Sequence, residues 1–372
     1  MVGPKAPARP APPSPIHLPR CMAYKCGVAC DLEKVRQLLQ RSPAELQRLK
    51  QACLLSFIED NSNVRICPST PWCGRAIQVE GDAFIEPECS CGTVFCFKCG
   101  KEPHSPCTCQ MWGMWDEKTN SDSETRNWIT ANTKPCPKCT KPVEKNGGCN
   151  HVTCKCGQSF CWHCGQGTGM SHTWTGIKDH SCGRFKEEVD KRVDGALRNL
   201  KRYMHYFERW KGHMDSHKKE TTVRVELLAR IEDKMEGGLD ARDYSWLVRA
   251  LDQLQVARGV LAPTYPFAYF FFGNEIYSTD FTPEQNTCNQ QLFEDQQQML
   301  EAEVERLAGL VQSCSDSLAI DPEERVNTIN STVNIQERII RLYDLIENDL
   351  YGKLQTCSAQ IAIYKPKRNL AG

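Results

Sequence analysis

The chain has 372 residues, with 46 basic and 46 acidic side chains and a formal charge of +0. That length allows two to four domains, and the neutral balance gives no ground for bulk attraction to nucleic acid or a membrane surface. No apolar run reaches about 18 residues, so no membrane span is expected.

Cysteine is the distinctive residue: there are 23, of which 20 lie between Cys21 and Cys182. A secreted disulfide scaffold is expected to be small and to open with a signal peptide, a pattern this sequence does not show. Thiolates holding zinc, in the cytoplasm and/or nucleus, are the expectation instead. Residues 1–20 carry seven prolines and few apolar anchors. They read as a disordered N-terminus, and their texture suggests an alternative start joined to a longer parent. Cys21 and Cys26 form a lone pair that cannot fill a four-ligand site.

Residues 31–59 read as helix, with Ser42-Pro-Ala-Glu45 as a capping box and Leu46, Leu49, Cys53 and Phe57 on one core face. The next block supplies eight ligands for two zincs. Cys67, Cys73, Cys89 and Cys91 make one set; Cys96, Cys99, His104 and Cys109 make the other, with Cys107 competing with Cys109 on spacing. A unit of about 50 residues has a small core, so metal must supply much of its folding energy. Residues 111–134 read as a linker whose Trp112, Trp115 and Trp128 either dock a partner or pack on a neighbouring zinc domain.

A second cysteine block begins at Cys136-Pro-Lys-Cys139 and runs through Gly147-Gly148-Cys149-Asn150-His151 to Cys154-Lys-Cys156 and Cys161-Trp-His-Cys164. Cys136, Cys139, Cys154 and Cys156 fill one zinc site. Cys161 and Cys164 open a second, completed by Cys182 and a histidine, with His172 and His180 both available. Cys149 is left over inside this paired set, two residues before His151. A spare thiol beside an imidazole is a candidate nucleophile and base.

Beyond Cys182 the texture changes to long helices. Apolar residues recur at three- and four-residue steps from Phe185 to Met214, and again at Trp246, Leu251, Leu254 and Leu261. The apolar run Tyr265–Phe272 reads as a buried helix or strand. Thr282-Pro-Glu-Gln285 and Asp321-Pro-Glu-Glu324 cap two further helices, one carrying Leu292, Met299, Leu300, Val304 and Leu307, the other Ile335, Ile339, Leu342, Ile346 and Leu350. The expected fold is therefore a set of small zinc-stabilised domains, mostly irregular or short-β, followed by an all-α helical bundle.

This order of motifs resembles the Ariadne branch of the RING-between-RING ubiquitin ligases. The resemblance implies seven segments: the N-terminus 1–20; a remnant of a first RING with a linker helix, 21–63; an in-between-RING domain, 64–110; a linker helix, 111–134; a catalytic second RING-like domain, 135–185; an Ariadne helical domain, 186–352; and a tail, 353–372. It implies a ubiquitin thioester on Cys149, His151 as general base, four zinc ions, and transfer of ubiquitin to a substrate lysine. It also implies ubiquitin, a ubiquitin-conjugating enzyme, a protein substrate and a neddylated cullin-RING complex as partners, with no nucleic acid or membrane.

Only Cys21 and Cys26 match a ligand pair of the first RING, so recruitment of the conjugating enzyme by this chain alone is expected to be weak. Ser159 stands where some relatives carry a glutamate that orients the histidine. His172 is closer to the family's ligand spacing than His180. Phe293-Glu294 resembles part of an inhibitory surface by which the helical domain covers the catalytic cysteine. Glu305, eleven residues on, shares a helical face with Glu294. The competing reading is a zinc-bearing interaction scaffold without turnover.

Overall fold

The computed structural model describes residues 23–26, 28, 30–80, 85–121, 133–145, 150–162, 165–168, 195–236, 243–273, 276–277, 280–317 and 321–354. The chain divides into two units, Met1–Pro103 and His104–Gly372.

In the first unit the expected single helix is two. Helix α1 spans Leu32–Leu39 and α2 spans Pro43–Asp60. Asp31 caps α1, its carboxylate accepting the Glu33 N–H at 3.3 Å. The break falls at Pro43, whose ring disfavours the helical region for the residue before it; Ser42 sits at φ −127°, ψ 81° and makes no side-chain cap. Phe57 is exposed and Cys53 only half-buried. The face read from sequence as core is therefore not a core face within this unit. Strands β1 (Val64–Ile66) and β2 (Ala76–Gln78) pair antiparallel with Val64 opposite Gln78. The small core beneath them gathers Val79, Phe95 and Phe97 around Cys67 and Cys89.

The second unit opens with α3 (Cys109–Ser121). A β-rich segment follows. Strands β3 (Thr133–Pro135) and β4 (Pro142–Glu144) form one hairpin, and β5 (His151–Thr153), β6 (Ser159–Cys161) and β7 (Gly167–Thr168) form a three-stranded antiparallel sheet. Phe160 on β6 is fully buried between Cys136 and Cys154.

Four long helices complete the unit: α4 (Gly195–Glu236), α5 (Ser245–Phe271), α6 (Pro283–Ser317) and α7 (Pro322–Asp344). Helix α7 continues through a π-helical turn, Leu345–Leu350, and a 3-10 turn, Tyr351–Lys353. Helix α5 packs against α4, α6 and α7, and the run Tyr265–Phe272 is its buried C-terminal end. Phe267, Phe271, Phe293 and Tyr351 stack and tilt on one another there at 4.9–5.7 Å. Ile335, Ile339, Leu342, Ile346 and Leu350 are wholly buried, the face the sequence periodicity predicts. Both caps form. Thr282 and Gln285 exchange reciprocal bonds at 3.0 and 3.2 Å, and Asp321 accepts the Glu324 N–H at 3.4 Å. Leu200, Leu292 and Met299, expected in the core, are exposed.

The linker tryptophans are not exposed. Trp112 and Trp115 of α3 are 3% and 1% exposed. The Trp115 ring meets Tyr203 at 5.6 Å and Trp210 and Tyr269 at 5.7 Å. Both rings serve as core of the helical bundle, which excludes them as a docking surface. Trp128 lies outside the described residues.

Candidate metal centres and the Asn150 contact

The metal sets are built from tight turns that bring paired sulfurs together. In Cys89-Ser-Cys91-Gly92 and Cys154-Lys-Cys156-Gly157 the glycine after the second cysteine adopts φ +86° and +81° and donates its N–H back to the first cysteine's carbonyl at 2.7 and 2.8 Å. That left-handed conformation is why glycine stands there. Thr140, after Cys139, holds φ 58° in the equivalent turn, a conformation uncommon for a non-glycine residue.

Three ligand groups result among the described residues: Cys67, Cys73, Cys89 and Cys91; Cys96, Cys99, His104 and Cys109; and Cys136, Cys139, Cys154 and Cys156. In each, all four ligand atoms lie within 4.8 Å of one another. The chemistry of the sets fits zinc. A tetrahedral ion with Zn–S of about 2.3 Å needs sulfur–sulfur edges of about 3.8 Å. Cys67–Cys91 and Cys73–Cys89 measure 3.7 and 3.9 Å, and Cys136–Cys156 and Cys139–Cys154 measure 3.7 and 3.6 Å. These are far from the roughly 2.05 Å of a disulfide. The Thr93 side chain and backbone favour the Cys91 thiolate and draw its pKa down to about 6.

His104 shows its ligand nitrogen. Its Nδ1 lies 2.9 Å from the Cys107 carbonyl, which can only accept, so Nδ1 carries the proton and Nε2 is left for a metal. Cys107 itself is buried in the helical core with its sulfur 3.2 Å from the Pro263 carbonyl. The structure thus separates two thiols that spacing leaves equivalent. Of the expected fourth set, Cys161 is buried on β6; Cys164, His172, His180 and Cys182 lie outside the described residues. Cys149 lies outside them as well.

The residues that follow it are described. His151 opens β5 opposite Cys161. Ser159, opposite Thr153, shares a 3.0 Å bond with the Thr153 hydroxyl. Asn150 is 1% exposed and is held by the helical bundle. Its N–H donates to Glu305 Oε2 at 2.5 Å and its Nδ2 to Glu305 Oε1 at 2.8 Å. Lys145 donates to Asn150 Oδ1 at 2.7 Å and to the Ser216 hydroxyl at 3.1 Å, while Lys219 donates to the Lys145 carbonyl at 2.6 Å.

Behind Glu305 stands Arg258, wholly buried on α5. It donates to Glu305 at 2.7 Å, to Glu220 at 3.1 Å and to His213 Nδ1 at 2.8 Å. A guanidinium cannot accept, so His213 is neutral with its proton on Nε2. That proton faces the Tyr265 oxygen at 3.3 Å, and the Tyr265 hydroxyl donates on to Glu301 at 3.2 Å. Burial opposes ionisation of both carboxyls beside Arg258. At Glu305 the charges of Arg258 and Lys145 outweigh burial and hold the pKa below the usual range. At Glu220 burial prevails and the pKa is raised.

Of the surface expected from sequence, Glu305 bonds Asn150. Phe293 is fully buried against Phe267 and Phe272, and Glu294 is engaged by Tyr206 and Gln290 at 3.5 and 2.9 Å, so that pair is bundle core. Sequence reading missed Arg258, Glu220 and His213. The available signal was a lone arginine in the otherwise apolar stretch Val256–Leu261.

Paired-cysteine zinc knuckles followed by a four-helix region define a protein of the RING-between-RING class. Residues 47–109 match the IBR domain family, described as a half RING-finger domain. Residues 131–174 match a second IBR domain family, and residues 201–369 match the Ariadne domain family. The chain belongs to the Ariadne family. It is 47% identical over 348 residues to the probable E3 ubiquitin-protein ligase ARI2 of Arabidopsis thaliana, covering 93% of this chain and 59% of that protein. It is 45% identical to ARI1 of the same plant over 94% of this chain and 59% of the relative. It is 34% identical to the E3 ubiquitin-protein ligase ariadne-1 of Drosophila melanogaster over 77% of this chain and 55% of the relative. The chain thus spans about six-tenths of the length of these curated relatives.

Proposed function

We propose that this chain carries the transfer machinery of a RING-between-RING ubiquitin ligase, with Cys149 as the thioester-forming nucleophile. The observation that carries this reading is the third ligand set. Cys136, Cys139, Cys154 and Cys156 complete a four-ligand group among themselves, so that group has no need of the cysteine inside Gly147-Gly-Cys-Asn-His151. A thiolate is both a good nucleophile and a good leaving group, and the names of the plant and fly relatives support the same chemistry. A conjugating enzyme delivers ubiquitin to Cys149, and a substrate lysine then takes it. His151, two residues on, receives the proton from that amine, a role suited to an imidazole near pH 7.

Zinc in this reading is structural. Four ions are bound, three in the sets above and a fourth by Cys161, Cys164, His172 and Cys182, and each shapes its domain without entering the reaction. Glu305 holds Asn150, the residue after Cys149, and a neddylated cullin-RING complex is the partner that would release that contact. The setting is the cytoplasm and/or nucleus.

The test is loading. Incubated with a conjugating enzyme pre-charged with ubiquitin, the chain should form an adduct that thiol reductant removes. Cys149→Ser should convert it to an ester that survives reductant, and Cys149→Ala should abolish it. No adduct on a Glu305→Ala variant, in which the bond to Asn150 is gone, would leave only the interaction scaffold.

A further inference from the structure

We propose that Cys156 is a redox modification site: a hydroperoxide oxidises it, Cys136 closes a disulfide onto it, and the third ligand set gives up its zinc. The like-built first set is shielded from the same reaction by Thr93. Neither statement depends on Cys149.

The two sets each offer one open sulfur. Cys91 and Cys156 are exposed, whereas Cys67 and Cys136, whose sulfurs stand 3.7 Å from them, are each 1% exposed. The two open sulfurs sit in the same turn. The Cys89 N–H donates to the Thr93 carbonyl and the Cys154 N–H to the Gln158 carbonyl, both at 2.8 Å, so positions 93 and 158 are equivalent. What each side chain does for the sulfur differs. Thr93 Oγ1 lies 3.3 Å from Cys91 Sγ. A ligand thiolate carries no proton, so there the hydroxyl donates to the sulfur. Gln158 turns its amide elsewhere: Nε2 donates to the Ser159 carbonyl at 2.8 Å and packs over Gly167 of β7.

That difference decides reactivity. Zinc holds both sulfurs as thiolates, so thiolate fraction does not separate them; the electron density left on sulfur does. A donated hydrogen bond draws on that density and is weakened as the sulfur attacks. Cys91 therefore has a bond to lose where Cys156 has none from a hydroxyl.

The chemistry balances with hydrogen peroxide as the oxidant. The Cys156 thiolate attacks one peroxide oxygen, an S–O bond forms, and the O–O bond breaks with its electron pair leaving on hydroxide. The Cys136 thiolate then attacks the Cys156 sulfur. An S–S bond forms and the S–O bond breaks, its oxygen leaving as a second hydroxide. Two thiolates have together lost two electrons, and one peroxide has become two hydroxides. The sulfurs need only close from 3.7 Å to about 2.05 Å. Cys139 and Cys154 remain, too few ligands for a tetrahedral ion.

The test uses the full, zinc-loaded chain with hydrogen peroxide as the probe. Zinc release is followed with a chromogenic chelator, and disulfides are mapped by non-reducing peptide mass spectrometry. On the native chain the Cys136–Cys156 disulfide should form roughly 10-fold faster than any disulfide of the first set, the worth of one hydrogen bond to a charged sulfur. Thr93→Val keeps the shape without the donor and should bring the first set up to the rate of the third. Gln158→Thr should slow the third set by the same factor. First-set disulfides forming as fast as Cys136–Cys156 on the native chain overturn the proposal. So does an unchanged first-set rate in a Thr93→Val chain of native zinc content, and so does a Cys136–Cys156 disulfide formed with no zinc released.

A second measurement needs no variant. A limiting amount of N-ethylmaleimide, which takes the thiolate onto its ring alkene and a proton from water, should label Cys156 ahead of Cys91 in the peptide map. Equal or reversed labelling overturns the proposal.

Discussion

Glu305 sits between two tasks: it neutralises Arg258 from one side and grips Asn150 from the other. Removing it costs the grip but leaves Arg258 paired with Glu220. Glu305→Ala should therefore fold and should raise discharge from Cys149 by about 10–100-fold, the worth of one or two charge-assisted hydrogen bonds in an opening equilibrium. Unchanged discharge would argue against a restraining role for the Glu305–Asn150 contact. Arg258 has no such tolerance. Arg258→Met strands Glu220 and Glu305 in a buried site and should cost about 3–5 kcal/mol of stability, seen as a lower thermal midpoint. His213 gives a pH signature. Burial, then the nearby Arg258 charge, keeps its pKa below the ordinary value, against the pull of Glu301. A base whose folded pKa is depressed stabilises the fold fully above its unfolded value, and that stabilisation is lost as pH falls through the folded one. Its imidazole should stay neutral in an NMR titration below about pH 6.5, and stability should decline with further acidification. Much of this cluster was hard to read from sequence. Glu305 was reachable because helical periodicity places it on a definite face. Arg258, Glu220 and His213 come from two helices, and only packing shows that they meet.

At the level of elements, legibility followed local chemistry. The capping box at Thr282–Gln285 is visible in sequence because both partners are three residues apart, and it forms as expected. Thr282→Ala should cost about 1 kcal/mol, a shift of roughly 2–4 °C in the thermal midpoint of a domain this size. The α1–α2 break was also local, at Pro43, yet the apolar spacing across it masked the proline's effect. The linker tryptophans were ambiguous for a different reason. Their partners Tyr203, Trp210 and Tyr269 lie some 80 to 160 residues away, and no local rule links them. Trp115→Ala should cost about 3–5 kcal/mol, measurable by denaturant unfolding, whereas a docking residue would leave stability unmoved.

Across the whole molecule two kinds of stabilisation divide the chain. The cysteine segments bury little apolar area and lean on their ligand sets. The helical bundle has an extensive apolar core of its own. A strong zinc chelator should therefore abolish ubiquitin loading while most of the far-UV helical signal persists, and metal analysis of the native chain should return four zinc ions. The ligand sets were the most legible part of the sequence because turn chemistry and chelation both act within a few residues. The choice between Cys107 and Cys109 was not legible, since it depends on Pro263 in a distant helix.

The packing of α3 also decides where this chain can be cut. The IBR match ends at residue 109 and the Ariadne match begins at 201, which invites trimming between them. A piece starting near residue 195 would bare the Tyr203, Phe207, Trp210 and Tyr269 rings that Trp115 covers. Such a piece should self-associate on a sizing column, and adding back a peptide spanning residues 104–121 should restore a monomer.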